Sequence, residues 1–341
     1  MFTDAREETL PHGGDLGVAR RLFPGAPEPF VDLSTGINPW PYPLARFSAD
    51  AFTRLPQQEA VTAVAAAAAK AYDVTSTKHV VVAPGSQILL PLVASLLPAA
   101  RAIVAAPTYP ELARAAALAG HKVGTTETIE RCGDAKLIMI ANPNNPDGRR
   151  LARTSLLKLA RELRGRGGLL VVDEAFMDVE PSGASLAPKL TCGNVVVLRS
   201  FGKFFGLPGL RLGFALTAPP LARRLSAALG PWPVSGPALI VGAKALADTA
   251  WIAGARKSLA KASASLEAIL VKAGLDVIGG TDLFRLVRSE AAPALFEHLG
   301  RAGIYVRTFA DQQTWLRFGL PANARAQERL KRALASFAHT T

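Results

Sequence analysis

Five short runs of apolar, mostly β-branched residues recur through the middle of the chain: His79–Val82, Ala102–Ala105, Leu137–Ile140, Leu169–Val172 and Val195–Leu198. Alanine- and leucine-rich stretches with helical spacing, such as Leu151–Leu163, lie between most of them. Strands that alternate with helices predict an α/β fold: a mostly parallel central sheet, covered on both faces, in a large domain. In such sheets ligands collect at the carboxyl ends of the strands. Beyond Gly236 a long helical stretch precedes strand-like Leu283–Val287, Ile304–Arg307 and Trp315–Phe318, with helices between. That pattern reads as a smaller α+β domain. The proline-rich segment from Pro11 to Pro43 reads as an extended arm lying over the rest. The expected division is an arm and part of the small domain over 1–48, the large domain over 49–235, and the small domain over 236–341.

Composition narrows the class. A chain of 341 residues, 49% apolar and 19% charged, suits a folded enzyme with a sizeable core rather than a disordered chain. Cys132 and Cys192 stand far apart, in no metal-ligand spacing, so no metal site is expected and a reducing cytoplasm is the simpler setting. The opening MFTDAREETL has no apolar core of the kind a signal peptide needs. Val80–Ala100 is uncharged and long enough to span a bilayer, but Pro84, Gly85, Ser86, Gln87, Pro91 and Pro98 interrupt it; a buried strand, loop and helix is expected there, and no membrane. The net charge of +12 is spread as pairs such as Arg149-Arg150 and Arg223-Arg224, without a long basic run or a nucleic-acid motif. No nucleic-acid partner is expected, and the general field favours anionic small molecules.

Each strand end carries distinctive chemistry. The first is followed by Ala83-Pro84-Gly85-Ser86-Gln87, a glycine–serine turn whose backbone N–H groups suit a phosphate. The second reaches Pro107-Thr108-Tyr109, where Tyr109 is either an aromatic plate for a ligand or a packing side chain. The third gives the turn Asn142-Pro143-Asn144-Asn145-Pro146-Asp147-Gly148. The fourth ends in Asp173-Glu174-Ala175-Phe176, and an acid directly after Leu-Leu-Val-Val is costly to bury without a partner. The fifth delivers Ser200 and Lys203, then Arg211 in Gly-Leu-Arg-Leu-Gly-Phe. A phosphate cradle, an aromatic plate, an amide, a buried acid, a lysine and an arginine together suit pyridoxal phosphate: the lysine joins the aldehyde, and the acid keeps the pyridine nitrogen protonated so that the ring accepts electrons.

The ordered set Gly-Ser-Gln, Tyr, Asn-Asn-Pro-x-Gly, Asp-Glu-Ala, Ser-x-x-Lys and Gly-Leu-Arg-x-Gly resembles that of fold-type I pyridoxal-phosphate enzymes of the aspartate aminotransferase superfamily, over nearly the whole chain. The resemblance implies that Lys203 is the Schiff-base lysine, that Asp173 faces the pyridine nitrogen, that Tyr109 stacks on the ring and that Asn145 bonds its oxygen. It gives the cofactor phosphate to Gly85, Ser86, Gln87, Ser200 and Arg211. Arg317 in Trp-Leu-Arg-Phe matches the arginine that clamps a substrate carboxylate. Two positions depart from many relatives: Phe176 stands where a tyrosine is common, and Leu55-Pro56-Gln57 replaces a stretch whose tyrosine reaches the neighbouring subunit's cofactor phosphate. A homodimer is still implied.

Pro11-His12-Gly13-Gly14-Asp15 and Leu33-Ser34-Thr35-Gly36-Ile37-Asn38-Pro39 are similar to segments of the superfamily's O-phosphothreonine decarboxylases, which serve cobalamin biosynthesis. That likeness implies a phosphorylated amino-acid substrate, held by His12, Gly13, Asn38, Asn145, Arg307 and Arg317. An aminotransferase of the histidinol-phosphate type is the alternative. Both reactions begin by displacing Lys203, and they part over which bond at the α-carbon stands perpendicular to the ring.

Overall fold

The computed structural model describes residues 12–44, 46–129, 132–181 and 183–338. The charged N-terminal decapeptide and Pro11 lie outside the described residues. In chain order the strands are β1 (Val31–Leu33), β2 (Val80–Ala83), β3 (Arg101–Ala105), β4 (Lys122–Thr126), β5 (Leu137–Ala141), β6 (Leu169–Asp173), β7 (Val195–Ser200), β8 (Gly213–Thr217), β9 (Asp276–Thr281), β10 (Phe284–Arg288), β11 (Ile304–Thr308) and β12 (Trp315–Gly319). The described chain separates into two compact units, one of Pro41–Asn145 with Arg149–Ala253, the other of residues 12–40, Pro146–Gly148 and 254–338.

The first unit is built on a seven-stranded sheet in the order β2-β8-β7-β6-β5-β3-β4. Strands β3 to β7 pair in parallel, and β8 is antiparallel to both of its neighbours. The carboxyl ends of β2 to β7 and the amino end of β8 therefore share one edge of the sheet. All but the edge strand β4 are buried almost throughout, because helices cover both faces. On one face Val81, Val104, Met139, Val171, Val196 and Ala215 pack with Leu89, Leu112 and Leu225 from three helices. Each such side chain contributes about 1.5–3 kcal/mol by leaving water. The helix Arg153–Gly165 buries Leu156, Leu159, Ala160 and Leu163, at the spacing its sequence predicts. Val80–Ala100 forms β2, a turn and the helix Leu89–Ala94, as expected. Among the described residues no single helix is long and apolar enough to cross a membrane.

The second unit holds a five-stranded sheet, β1-β11-β12-β10-β9, in which β1 lies parallel to β11 and the other pairs are antiparallel. Residues 12–40 of the proline-rich segment belong to this unit, Pro41 to Pro43 to the first, and the stretch that reads as extended includes a helix. Asp15 accepts from the N–H groups of Gly17 and Val18 at 2.8 and 3.2 Å, which caps a helix over Leu16–Leu22. Phe23 then packs with Ala19, Phe30 and Tyr305, and its ring fills the space that a side chain at Gly300 would need. The prolines of this stretch mask an element that one capping carboxylate and one apolar cluster specify.

Candidate active site

The register of the first sheet gathers most of the candidate cofactor residues. Ala83 pairs with Gly213, Gly213 with Ser200, Leu198 with Asp173, and Asp173 with Ala141. Gly85 follows β2 at φ +93°, a conformation open to glycine and strained for other residues. The turn it makes lies flat on β8: a side chain at Gly213 would strike the backbone of Gly85 and Ser86. Arg211 is itself held at φ +52°, a left-handed conformation that costs an ordinary residue of order 1 kcal/mol and is found mainly where a site requires it. Its exposed guanidinium is so close to Gly85 that an added Cβ would stand 2.8 Å from Nη2. A turn with glycine at its apex, closed by a guanidinium, has the donor set of an anion cradle.

Gly85→Ala is expected to lower stability by about 1–2 kcal/mol, chiefly through the backbone strain, since Arg211 can swing aside. A urea unfolding midpoint unchanged from the parent would contradict this account of the turn.

Beside the cradle, Tyr109 donates from its hydroxyl to Gln87 Oε1 at 3.1 Å, and Gln87 Nε2 donates to Glu111 Oε2 at 2.8 Å. The side chain of Gln87 thus bridges Tyr109 and the buried Glu111, with one N–H of its amide left for a ligand. Glu111 had no signal in the sequence, where it is one acid at the start of a helix. Asn145 follows a braced turn: Asn144 takes Thr108 Oγ1 at 2.6 Å and donates to the Pro107 carbonyl at 2.8 Å, while Asn142 accepts from Leu151 N–H at 2.8 Å.

Asp173 ends β6 with 8% of its surface exposed. Burial pushes its carboxyl up to about 6, against the Ala175 N–H, which it accepts at 3.1 Å, and the positive charge of Lys203. The acid is therefore held at the edge of ionisation, and a cation placed against it would tip it to the carboxylate. Lys203 follows Ser200 in the short helix Phe201–Phe204, with Nζ 5.7 Å from the centre of the buried Phe176 ring. Beneath that helix Phe201 stacks on Phe205 at 4.3 Å, and Phe205 on Trp251 at 5.6 Å, which holds the helix on a rigid aromatic floor. A buried acid, a lysine against an aromatic face and an anion cradle on one sheet edge match the charge pattern of pyridoxal phosphate.

Apart from Asn145, which ends a segment of the first unit, the candidate substrate residues belong to the second unit. Arg317 on β12 is 6% exposed, donates to the Ser34 carbonyl at 3.0 Å and lies 5.0 Å from the Phe284 ring. Arg307 on β11 is its direct cross-strand partner in register. Gly13 lies so close to Ser34 that a Cβ would overlap the Ser34 carbonyl, and Gly14 N–H donates to Ser34 Oγ at 2.8 Å. Ser34 Oγ in turn donates to Asp32 at 2.6 Å. Ser34 is the hub of this corner, which its place in a polar turn does not announce in sequence. Asn38 is buried and caps Trp40 N–H at 2.9 Å; His12, next to Gly13, is exposed.

A model of the family described as aminotransferase class I and II matches residues 46–337. The chain is 43% identical over 328 residues to a threonine-phosphate decarboxylase of Sinorhizobium sp., covering 95% of this chain and 97% of that one. It is 40% identical over 331 residues to a threonine-phosphate decarboxylase of Pseudomonas aeruginosa, covering 96% and 98%. Its fold superposes on the crystal structure of histidinol-phosphate aminotransferase from Sinorhizobium meliloti in complex with pyridoxal-5'-phosphate with a TM-score of 0.84, at 22% identity over 99% of this chain and 98% of that one. The chain belongs to the aminotransferase class I and II family.

Proposed function

We infer that this chain is a pyridoxal-phosphate-dependent decarboxylase of O-phospho-L-threonine, which releases carbon dioxide and leaves (R)-1-aminopropan-2-yl phosphate for cobalamin biosynthesis. Near-full-length likeness to decarboxylases of that name supports the reading. The aminotransferase reading has the shared fold and a weaker likeness behind it, 30% identity to a histidinol-phosphate aminotransferase over 54% of this chain.

The residues suit the cofactor. The Gly85-Ser86-Gln87 turn, Ser200 and Arg211 would hold its phosphate, Asp173 its ring nitrogen, Asn145 its ring oxygen and Tyr109 its ring face. When bound, the cofactor supplies an electron sink for the pair left at the substrate α-carbon. Lys203 is the nucleophile, its amine kept partly out of water against Phe176. Once carbon dioxide has left, the Lys203 amine or a water would return a proton to the α-carbon. Asp173 holds the balancing negative charge where the sink is most positive.

The observation that carries the substrate class is the facing pair Arg307 and Arg317. Like charges directly opposite on an antiparallel ladder repel, and a multiply anionic ligand offsets that cost. Arg317 takes the carboxylate in its fork, and Arg307, with His12, Gly13, Asn38 and Asn145, takes the phosphate. The proposed molecule is a cytoplasmic homodimer: Leu44, Phe52 and Leu55 expose 56%, 69% and 58% of their surface within one stretch of the first unit, and a second copy would cover them.

The two arginines give the test. Arg307→Ala is expected to weaken O-phosphothreonine by about 2–5 kcal/mol and to leave the poor binding of threonine almost unchanged. Arg317→Ala should weaken both, because both carry the carboxylate. Spectral titration of the cofactor-loaded protein reads each affinity. Equal loss for both amino acids in Arg307→Ala would show that the phosphate site is wrongly assigned.

A further inference from the structure

On the sheet face opposite Asp173 and Ser200, the same strand ends carry a buried cluster that the mechanism above does not use. Side chains alternate between faces along a strand, so Glu174 and Arg199 point away from their neighbours Asp173 and Ser200. Glu174 is 0% and Arg199 5% exposed. Arg199 Nη1 donates to Glu174 Oε2 at 3.1 Å, and its Nη2 donates to Asp178 Oδ1 at 3.0 Å. The guanidinium carbon stands 4.3 Å from the centre of the Tyr72 ring. Glu174 is tied further by Ser185 Oγ at 2.5 Å and Leu186 N–H at 2.7 Å, and its own N–H donates to the Leu198 carbonyl at 2.9 Å.

The order along the chain gives this cluster its meaning. Within residues 173–178, the Phe176 ring lies 5.7 Å from Lys203 Nζ and Asp173 feels the charge of Lys203, whereas Glu174 and Asp178 are gripped by Arg199. Arg199 lies on β7 immediately before Ser200 and four residues before Lys203. One guanidinium thus holds the segment that carries the acid and the strand that delivers the lysine. We propose that Arg199, clasped by Glu174 and Asp178, is a positioning residue that fixes Asp173 and Phe176 relative to Lys203 from the far side of the sheet. The inference rests on the reading of Asp173 and Lys203 as the cofactor's partners.

Two cheaper explanations are weaker. A buried ion cluster is poor evidence for stability, since apolar replacements of similar volume are often as stable. A surface role fails because the charges are buried. A two-carboxylate grip on a planar fork does, however, define direction as well as distance, which positioning needs.

Removing Arg199 alone would strand two buried carboxylates, so the test uses a variant with all three charges replaced, Glu174→Met with Asp178→Leu and Arg199→Met, alongside Arg199→Lys. Each is loaded with pyridoxal phosphate and compared with the parent by visible circular dichroism of the bound cofactor and by carbon dioxide release. The triple variant should lose most of the induced dichroism, and its kcat should fall on the order of 10- to 100-fold with KM for O-phosphothreonine nearly unchanged. Arg199→Lys, which keeps the charge but not the fork, should fall between it and the parent. Parental dichroism and kcat in the variants would overturn the inference, as would a loss confined to the unfolding midpoint. If the triple variant does not accumulate, Arg199→Lys decides by the same two readouts. A parent that takes up no pyridoxal phosphate would overturn the underlying reading, which the parental spectrum shows before any variant is compared.

Discussion

Lys203→Ala is expected to cut carbon dioxide release from O-phosphothreonine by on the order of 10⁴-fold or more, because the proposed mechanism asks one side chain to be the nucleophile and to share in returning the proton. Alanine can do neither. The surroundings should survive the change: the lysine stands on a short helix whose Phe201, Phe204 and Phe205 are buried, and those contacts do not involve Nζ. A folded protein without turnover, lacking the visible band of the lysine-linked cofactor, is the expected outcome, read by steady-state assay and absorbance. Retained activity in a folded, sequence-verified variant would remove Lys203 from the mechanism.

The second large effect separates function from stability at Asp173. The native carboxyl, at about 6, lies above its unfolded value of 3.8 because burial penalises the charge. A raised carboxyl pKa favours the folded state fully below the unfolded value, and that advantage is lost as pH rises through about 6. Asp173→Asn has no charge to bury and can keep the acceptor for the Ala175 N–H. The cofactor-free variant should therefore be more stable than the parent by about 1–3 kcal/mol at pH 8, with the difference gone near pH 4. The loaded variant should lose on the order of 10²- to 10³-fold in kcat, for want of the balancing charge. Urea unfolding at the two pH values checks the first half, and a variant less stable than the parent at pH 8 would contradict it.

What could be read in one dimension was whatever local chemistry dictates. β2, β3, β5, β6 and β7 are short apolar runs because they are buried on both faces, so they were expected to within a residue or two. The exposed edge strand β4, Lys-Val-Gly-Thr-Thr, has no such run. β9 carries Gly279 and Gly280, which look like a loop; a side chain at Gly279 would strike the Asp147 carbonyl, so glycine is there for close approach. Asp173 and Lys203 stood out because charge directly after a buried strand needs a reason. The partners did not stand out. Glu111 at Gln87, Ser34 at Arg317 and Arg199 at Glu174 and Asp178 make contacts between residues 24, 283, 25 and 21 positions apart, and nothing local encodes them. The facing of Arg307 and Arg317 is likewise a fact of register, visible only once β11 and β12 are paired.

The central claim is decarboxylation of a phosphorylated amino acid, and the most direct measurement is carbon dioxide release from O-phospho-L-threonine by the pyridoxal-phosphate-loaded protein with no 2-oxoacid present. The account predicts sustained release, one carbon dioxide for each 1-aminopropan-2-yl phosphate formed. No carbon dioxide, together with amino-group transfer that starts only when a 2-oxoacid is added, would contradict it.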